Sequence, residues 1–134
     1  MARPSGPKTK CGGRWTEARY RSFISSGLRS TSRKWAPIQD VAKSARRARG
    51  MYECASCKEV KPKTEIIDGK RVNNCNVDHI NPIVDPVVGF TNWDEYIERM
   101  FVEEDGLQVL CHICHTIKTN EERAIAKERR TNEQ

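Results

Sequence analysis

No stretch of the 134 residues approaches the roughly 20 consecutive apolar positions that a membrane-spanning helix requires, so no membrane is expected as a partner. The opening run, residues 1–13, is positive but no apolar segment follows it, so it does not read as a secretory signal and a cytoplasmic location is expected. Hydrophobic residues are sparse too, 37% of the chain against 31% charged. A chain this short buries a modest share of its surface, so an apolar core alone would give thin stability. Some other staple is expected. The length leaves room for about one domain with a small appended element, and no internal repeat is visible. Acidic residues are nearly missing from the first fifty positions, and histidine is limited to His79, His112 and His115.

What is present is unevenly distributed. The net charge is +6, yet residues 1–50 carry 13 Lys and Arg against 2 Asp and Glu, while residues 51–134 carry 11 against 16. A front segment this basic is an electrostatic footprint for a phosphate backbone, because each neutralised phosphate releases counterions. An anionic partner with a phosphate backbone is therefore expected. Residues 1–13, rich in Pro and Gly, read as a flexible basic arm, and 14–50 as a basic helical segment. There Tyr20, Phe23, Ile24 and Leu28 fall at helical spacing behind a Thr16 cap, giving a helix over 16–29 that Ser30, Thr31 and Ser32 break. Pro37 suits the first turn of a second helix running to Arg49, with Gly50 as its stop. On that helix Lys43, Arg46, Arg47 and Arg49 are the candidate DNA contacts.

The remaining unit, 51–134, opens at a cysteine pair. Cys54-x-x-Cys57 and Cys111-x-x-Cys114 each present two thiolates from one turn, and two such turns complete the tetrahedral four-sulfur shell of structural zinc. In a reducing compartment such pairs read as metal ligands rather than disulfides. A gap of 53 residues separates them, so the ion would pin distant segments together, where loop closure contributes most. Cys11 and Cys75 are left as ordinary thiols. Asp68-Gly69 signals a hairpin turn, Val77–Ile80 and Leu107–Leu110 read as short strands, and Asn92 or Thr91 caps a helix reaching Val102 with Trp93, Tyr96, Ile97 and Met100 as its buried stripe. Residues 115–130 form a charged helix. Trp15, Trp35 and Trp93 read as packing residues.

Two segments carry a resemblance. Asp78-His79-Ile80-Asn81-Pro82 and Leu107-Gln108-Val109-Leu110-Cys111-His112-Ile113-Cys114-His115-Thr116-Ile117-Lys118-Thr119 resemble the two ends of the HNH nuclease motif, which begins Asp-His-Ile and closes Leu-Gln-x-Leu-Cys-x-x-Cys-His-x-x-Lys-Thr. The match covers roughly residues 52–122. It implies an α+β chain with a ββα-metal core braced by the four-cysteine zinc site and preceded by basic helices. It further implies His79 as general base, and Asp78 and His115 as ligands of a catalytic Mg²⁺ or Mn²⁺. Compact proteins of this arrangement look like those of tailed bacteriophages, which implies a host-cell cytoplasm and packaging or recombination proteins as protein partners, with the chain a monomer or weak dimer.

The chemistry is coherent apart from the family. A neutral imidazole titrating near neutrality takes a proton from water, a hard ion acts as Lewis acid on the phosphate, and two protein ligands leave its other positions open. Lys118, one turn beyond His115, is placed to contact phosphate. One position departs from the motif: the family usually has Asn before Leu-Gln, and this chain has Gly106. Both residues tolerate left-handed backbone, but the bracing hydrogen bond is lost, leaving slower catalysis or a substitute from Asp105 or Asn92. The activity the resemblance implies is metal-dependent nicking of DNA, with double-stranded DNA as the partner. The alternatives are a junction-cleaving recombination nuclease, separable by branched against linear substrates, and a non-catalytic zinc-containing DNA-binding protein.

Overall fold

A computed structural model describes residues 6–133, which divide between Lys34 and Trp35 into two compact units. The boundary differs from the one expected after residue 50. Trp35 and the helix that follows belong to the second unit, because Trp35 Nε1 donates to the Val102 carbonyl at 2.6 Å and Ser44 Oγ donates to Glu104 at 2.7 Å.

In the first unit, residues 1–5 of the expected arm lie outside the described residues. Its later part is a closed turn: Lys10 and Trp15 exchange backbone hydrogen bonds of 3.0 Å around Cys11–Arg14. Helix α1, Glu17–Ser32, begins as expected at Thr16, whose hydroxyl accepts from the Arg19 N–H. It runs three residues past the predicted break. Ser32 Oγ donates to the Arg29 carbonyl at 2.7 Å, so the hydroxyl is satisfied by the helix instead of competing with it. Phe23, placed on the apolar stripe, is 64% exposed and packs its ring against Trp15, 5.0 Å between centroids.

The second unit begins with α2, Ala36–Ala45, with Pro37 in its first turn. The helix ends four residues earlier than the sequence pattern predicts. Arg46–Ala48 is strand β1, paired antiparallel with β2, Met51–Glu53, through a turn at Gly50, φ 69°. Backbone pairing with β2 overrides an Arg-rich segment's helical preference. The β2 strand also pairs with β3, Val60–Pro62, across the Cys54–Cys57 knuckle. A separate hairpin joins β4, Thr64–Ile67, to β5, Lys70–Asn73, at the predicted Asp68-Gly69 turn, where both φ angles are positive (52° and 78°), as a two-residue hairpin requires.

Strands β6, Asn76–His79, one residue ahead of the predicted Val77–Ile80, and β7, Leu107–Leu110 as predicted, pair antiparallel in the register Asp78↔Gln108 and His79↔Leu107. Between them lies α3, Trp93–Met100, capped by Asn92 and shorter than predicted by two residues. Tyr96 and Met100 are buried, but Ile97 is 40% exposed and leaves the predicted stripe. Helix α4, His112–Asn132, starts three residues before its predicted beginning, because Cys111 acts as its cap and accepts from the Cys114 N–H. Among the described residues the architecture is thus mixed α+β, four α-helices with small antiparallel sheets. No helix of the described residues is long and apolar enough to cross a membrane.

Candidate metal centre and active site

The fully buried side chains of the second unit include Cys54 and Cys111, packed with Leu110, so two of the four thiols stand where an apolar core would. The knuckle is built by local bonds: Cys54 N–H donates to the Glu59 carbonyl, the Lys58 N–H donates back to the Cys54 carbonyl, and Lys58 takes the left-handed φ of 65° that closes the turn. The Ala55 N–H donates to the Val109 carbonyl at 2.8 Å and docks the knuckle on β7, immediately before the second cysteine pair. All four sulfurs of Cys54, Cys57, Cys111 and Cys114 lie within 4.8 Å of one another. The Cys57–Cys111 separation is 3.9 Å, close to the edge of about 3.8 Å that a tetrahedron of 2.3 Å zinc–sulfur bonds requires. The donor set fits a structural zinc ion.

Charge supports the same reading. Burial would raise the Cys54 thiol, but backbone N–H groups of Cys111, Cys57 and Ser56 bring it down to about 6. Burial and the neighbouring thiols push Cys114 up to about 12, as expected where four acids crowd together without a cation. The Lys61 ammonium lies 3.7 Å from the Cys111 sulfur and offsets part of a four-thiolate charge.

Asn74 was not legible as a site residue. It is 1% exposed, donates to the Pro62 carbonyl and to Glu65, both at 3.0 Å, and accepts the His112 N–H at 3.0 Å. One amide thereby ties β3 and β4 to the first turn of α4. Asn74→Ala should cost about 1–3 kcal/mol, since it strands a helix-terminal N–H in a buried place; urea unfolding of the zinc-loaded protein measures it, and a neutral result would contradict the assignment.

The β6–β7 pair sorts the predicted catalytic residues onto two faces. Asp78 Oδ2 accepts from Gln108 Nε2, its cross-strand partner, and from Lys118 Nζ, each at 3.0 Å. His79, the next residue and so on the opposite face, has Nε2 2.8 Å from the Met100 carbonyl. A carbonyl only accepts, so Nε2 carries the proton and Nδ1 keeps the lone pair. His115 lies one turn before Lys118 on α4, half-buried. Among the described residues the four cysteines are the one group of three or more metal-ligating side chains that converges; Asp78, His79 and His115 do not form such a group.

Lys118, expected to be open to phosphate, is already engaged. Its ammonium donates to Asp78, to the His79 carbonyl at 3.0 Å and to Glu122. Burial opposes its charge, but Glu122 and Asp78 more than compensate and raise it above the ordinary lysine value. A groove of about 460 Å³ opens beside it, lined by Ser56, Gln108, Leu110, Cys114, Ile117 and Lys118. Of the other expected DNA contacts, Lys43 is exposed on α2, Arg46 and Arg47 stand on β1, and Arg49 is in the adjoining turn; Arg47 pairs with Glu53 at 3.3 Å.

Gly106 also departs from expectation. Its φ is not positive, so left-handed freedom is not why glycine stands there. A Cβ would meet Val102 at 3.0 Å. Neither expected substitute braces His79, since Asn92 caps α3 and Asp105 is exposed; the Met100 carbonyl does so. Gly106→Ala should therefore lower stability by about 1 kcal/mol through overpacking, read as a drop in thermal midpoint, and an unchanged midpoint would show that Val102 yields freely.

No protein-family model, curated protein or solved structure matches this chain.

Proposed function

We propose that the chain is a metal-dependent DNA endonuclease of the HNH type, with the second unit as its cutting part and the four cysteines as a structural zinc clamp. The observation that carries this reading is the fixed tautomer of His79. Its Nε2–H is spent on the Met100 carbonyl, so the basic nitrogen is Nδ1, at the end of the strand that also bears Asp78. An imidazole held this way is oriented as a general base needs to be, with its second nitrogen fixing the ring and the tautomer. His115 stands one turn before Lys118, the α4 residue that meets Asp78, and would be the borderline donor beside the hard carboxylate for an octahedral ion.

When bound, a divalent ion at Asp78 and His115 supplies Lewis-acid relief of charge on the phosphate. The chain's residues do the rest. His79 takes the proton of the attacking water at Nδ1. Gln108 fixes the Asp78 carboxylate through Oδ2. The basic side chains Lys43, Arg46 and Arg49 contribute backbone contacts that give affinity rather than sequence choice. One such site attacks one strand, so nicking is the proposed product.

The test is incubation of supercoiled plasmid with the zinc-loaded protein in Mg²⁺, Mn²⁺ or chelator. Wild type should yield nicked circles only with the ion, and His79→Ala should not, while keeping fold and zinc. A second reading, a non-catalytic zinc-bearing DNA-binding protein, draws on the Asp78–Lys118 pair, which already neutralises the carboxylate. It expects His79→Ala to change nothing in any DNA assay.

A further inference from the structure

Lys118 is held by three oxygen acceptors from two elements: the Asp78 carboxylate and the His79 carbonyl on β6, and Glu122 on its own helix. The side chains of Lys118, Asp78 and Glu122 are 23%, 13% and 30% exposed, so solvent screens the group only in part. An ammonium has three protons to donate, and here all three have acceptors. That satisfaction leaves the amine nothing spare for a phosphate in the free protein. It also places one positive charge on the carboxylate proposed above to bind the divalent ion.

We propose that Lys118 is an internal counter-ion that a divalent cation must displace from Asp78, and that Glu122 is the positioning residue that holds the amine once it is displaced. The inference rests on the reading of Asp78 as an ion ligand. The physical reason is Coulombic: a partly buried +1 charge at 3.0 Å from a carboxylate oxygen competes directly with an incoming +2 charge for the same group. Glu122 gives Lys118 an acceptor that survives the exchange, being the i+4 partner on the same helix. A phosphate arriving with DNA would offer the amine a further acceptor and lower the cost of release. Ion and DNA then bind with positive coupling, each raising the affinity for the other by the same factor.

The two residues therefore have opposite effects, which a merely structural role would not produce. Mn²⁺ titration of the zinc-loaded full chain without DNA, followed by the loss of the free-ion paramagnetic signal, reads this directly, with Asp78→Asn marking which binding belongs to the site. Lys118→Met should tighten Mn²⁺ by about tenfold, and Lys118→Arg, which keeps the charge, should leave it weak. Glu122→Gln should weaken it by about threefold, since Asp78 is then the one carboxylate left to the amine, beside the uncharged His79 carbonyl. Should Lys118→Met lose zinc or fold, Lys118→Gln is read in its place. Weaker or unchanged Mn²⁺ binding in the folded, charge-removed variant overturns the counter-ion role even if plasmid nicking stands. If Asp78→Asn removes no Mn²⁺ binding from wild type, the carboxylate is not a ligand and the counter-ion role falls with that part of the nuclease reading.

Discussion

Stripping the metal with a strong chelator should unfold the second unit outright, with loss of its helical signal and of any cooperative thermal transition. Structural zinc in zinc-finger peptides contributes about 10–16 kcal/mol of binding free energy at neutral pH. A domain's whole stability is about 5–15 kcal/mol, and here Cys54 and Cys111 occupy the buried centre themselves. Replacing Cys111 with Ser should have the same outcome, because the substitution removes a ligand, a core side chain and the cap of α4 together. Metal analysis should return about one zinc per chain by the four-ligand rule. The affinity should also depend on pH in a definite direction. Cys114 is held up to about 12, and Cys57 is also raised, so both keep their protons near neutrality in the metal-free protein. Zinc must expel those protons, and affinity rises with pH; below about 6 Cys54 protonates as well and the fall steepens. A metal-free protein that melts as cooperatively as the native one would refute the clamp.

His79→Ala should reduce plasmid nicking by about 10²–10⁴-fold, the usual contribution of a positioned general base. The substitution removes one hydrogen bond to the Met100 carbonyl from a half-buried place, so a stability cost of about 1 kcal/mol is expected beside it. Circular dichroism and zinc content should otherwise match wild type. The two readouts separate cleanly, because a folding defect lowers both cutting and zinc retention, whereas loss of the base lowers cutting alone. Cutting that persists at the wild-type rate would remove His79 from the chemistry.

The parts that sequence made legible are those whose signal is local. A Cys-x-x-Cys turn, an Asp-Gly hairpin and an Asn cap each declare themselves within a few residues, and each stands where it was expected. The β6 and β7 segments were readable because short apolar runs bounded by polar residues leave few other choices. What could not be read depends on partners far along the chain. Asn74 looks like an ordinary loop amide until His112, 38 residues on, arrives at its oxygen. Lys118 looks like a free phosphate ligand until Asp78 is brought 3.0 Å away. The end of α2 was misjudged for the same reason: Arg46–Ala48 is helical by composition, and only the neighbouring strand makes it extended.

The two strands that carry Asp78 and Gln108 are joined by a long connection, residues 80–106, instead of a tight turn. Their pairing is secured from outside that connection by the cysteine clamp, and a longer loop adds little closure entropy, about 0.6 kcal/mol for each doubling. Extra segments are therefore expected to cost least at Val87–Val88, whose side chains are exposed, provided the Asp85–Gly89 turn and its Arg129 contacts are kept at the base of the insertion. The stretch from Met100 to Gly106 does not share this freedom, since it orients His79 and anchors Trp35. A designer seeking to graft a sequence-reading module onto this scaffold would splice it into the first place and leave the second untouched.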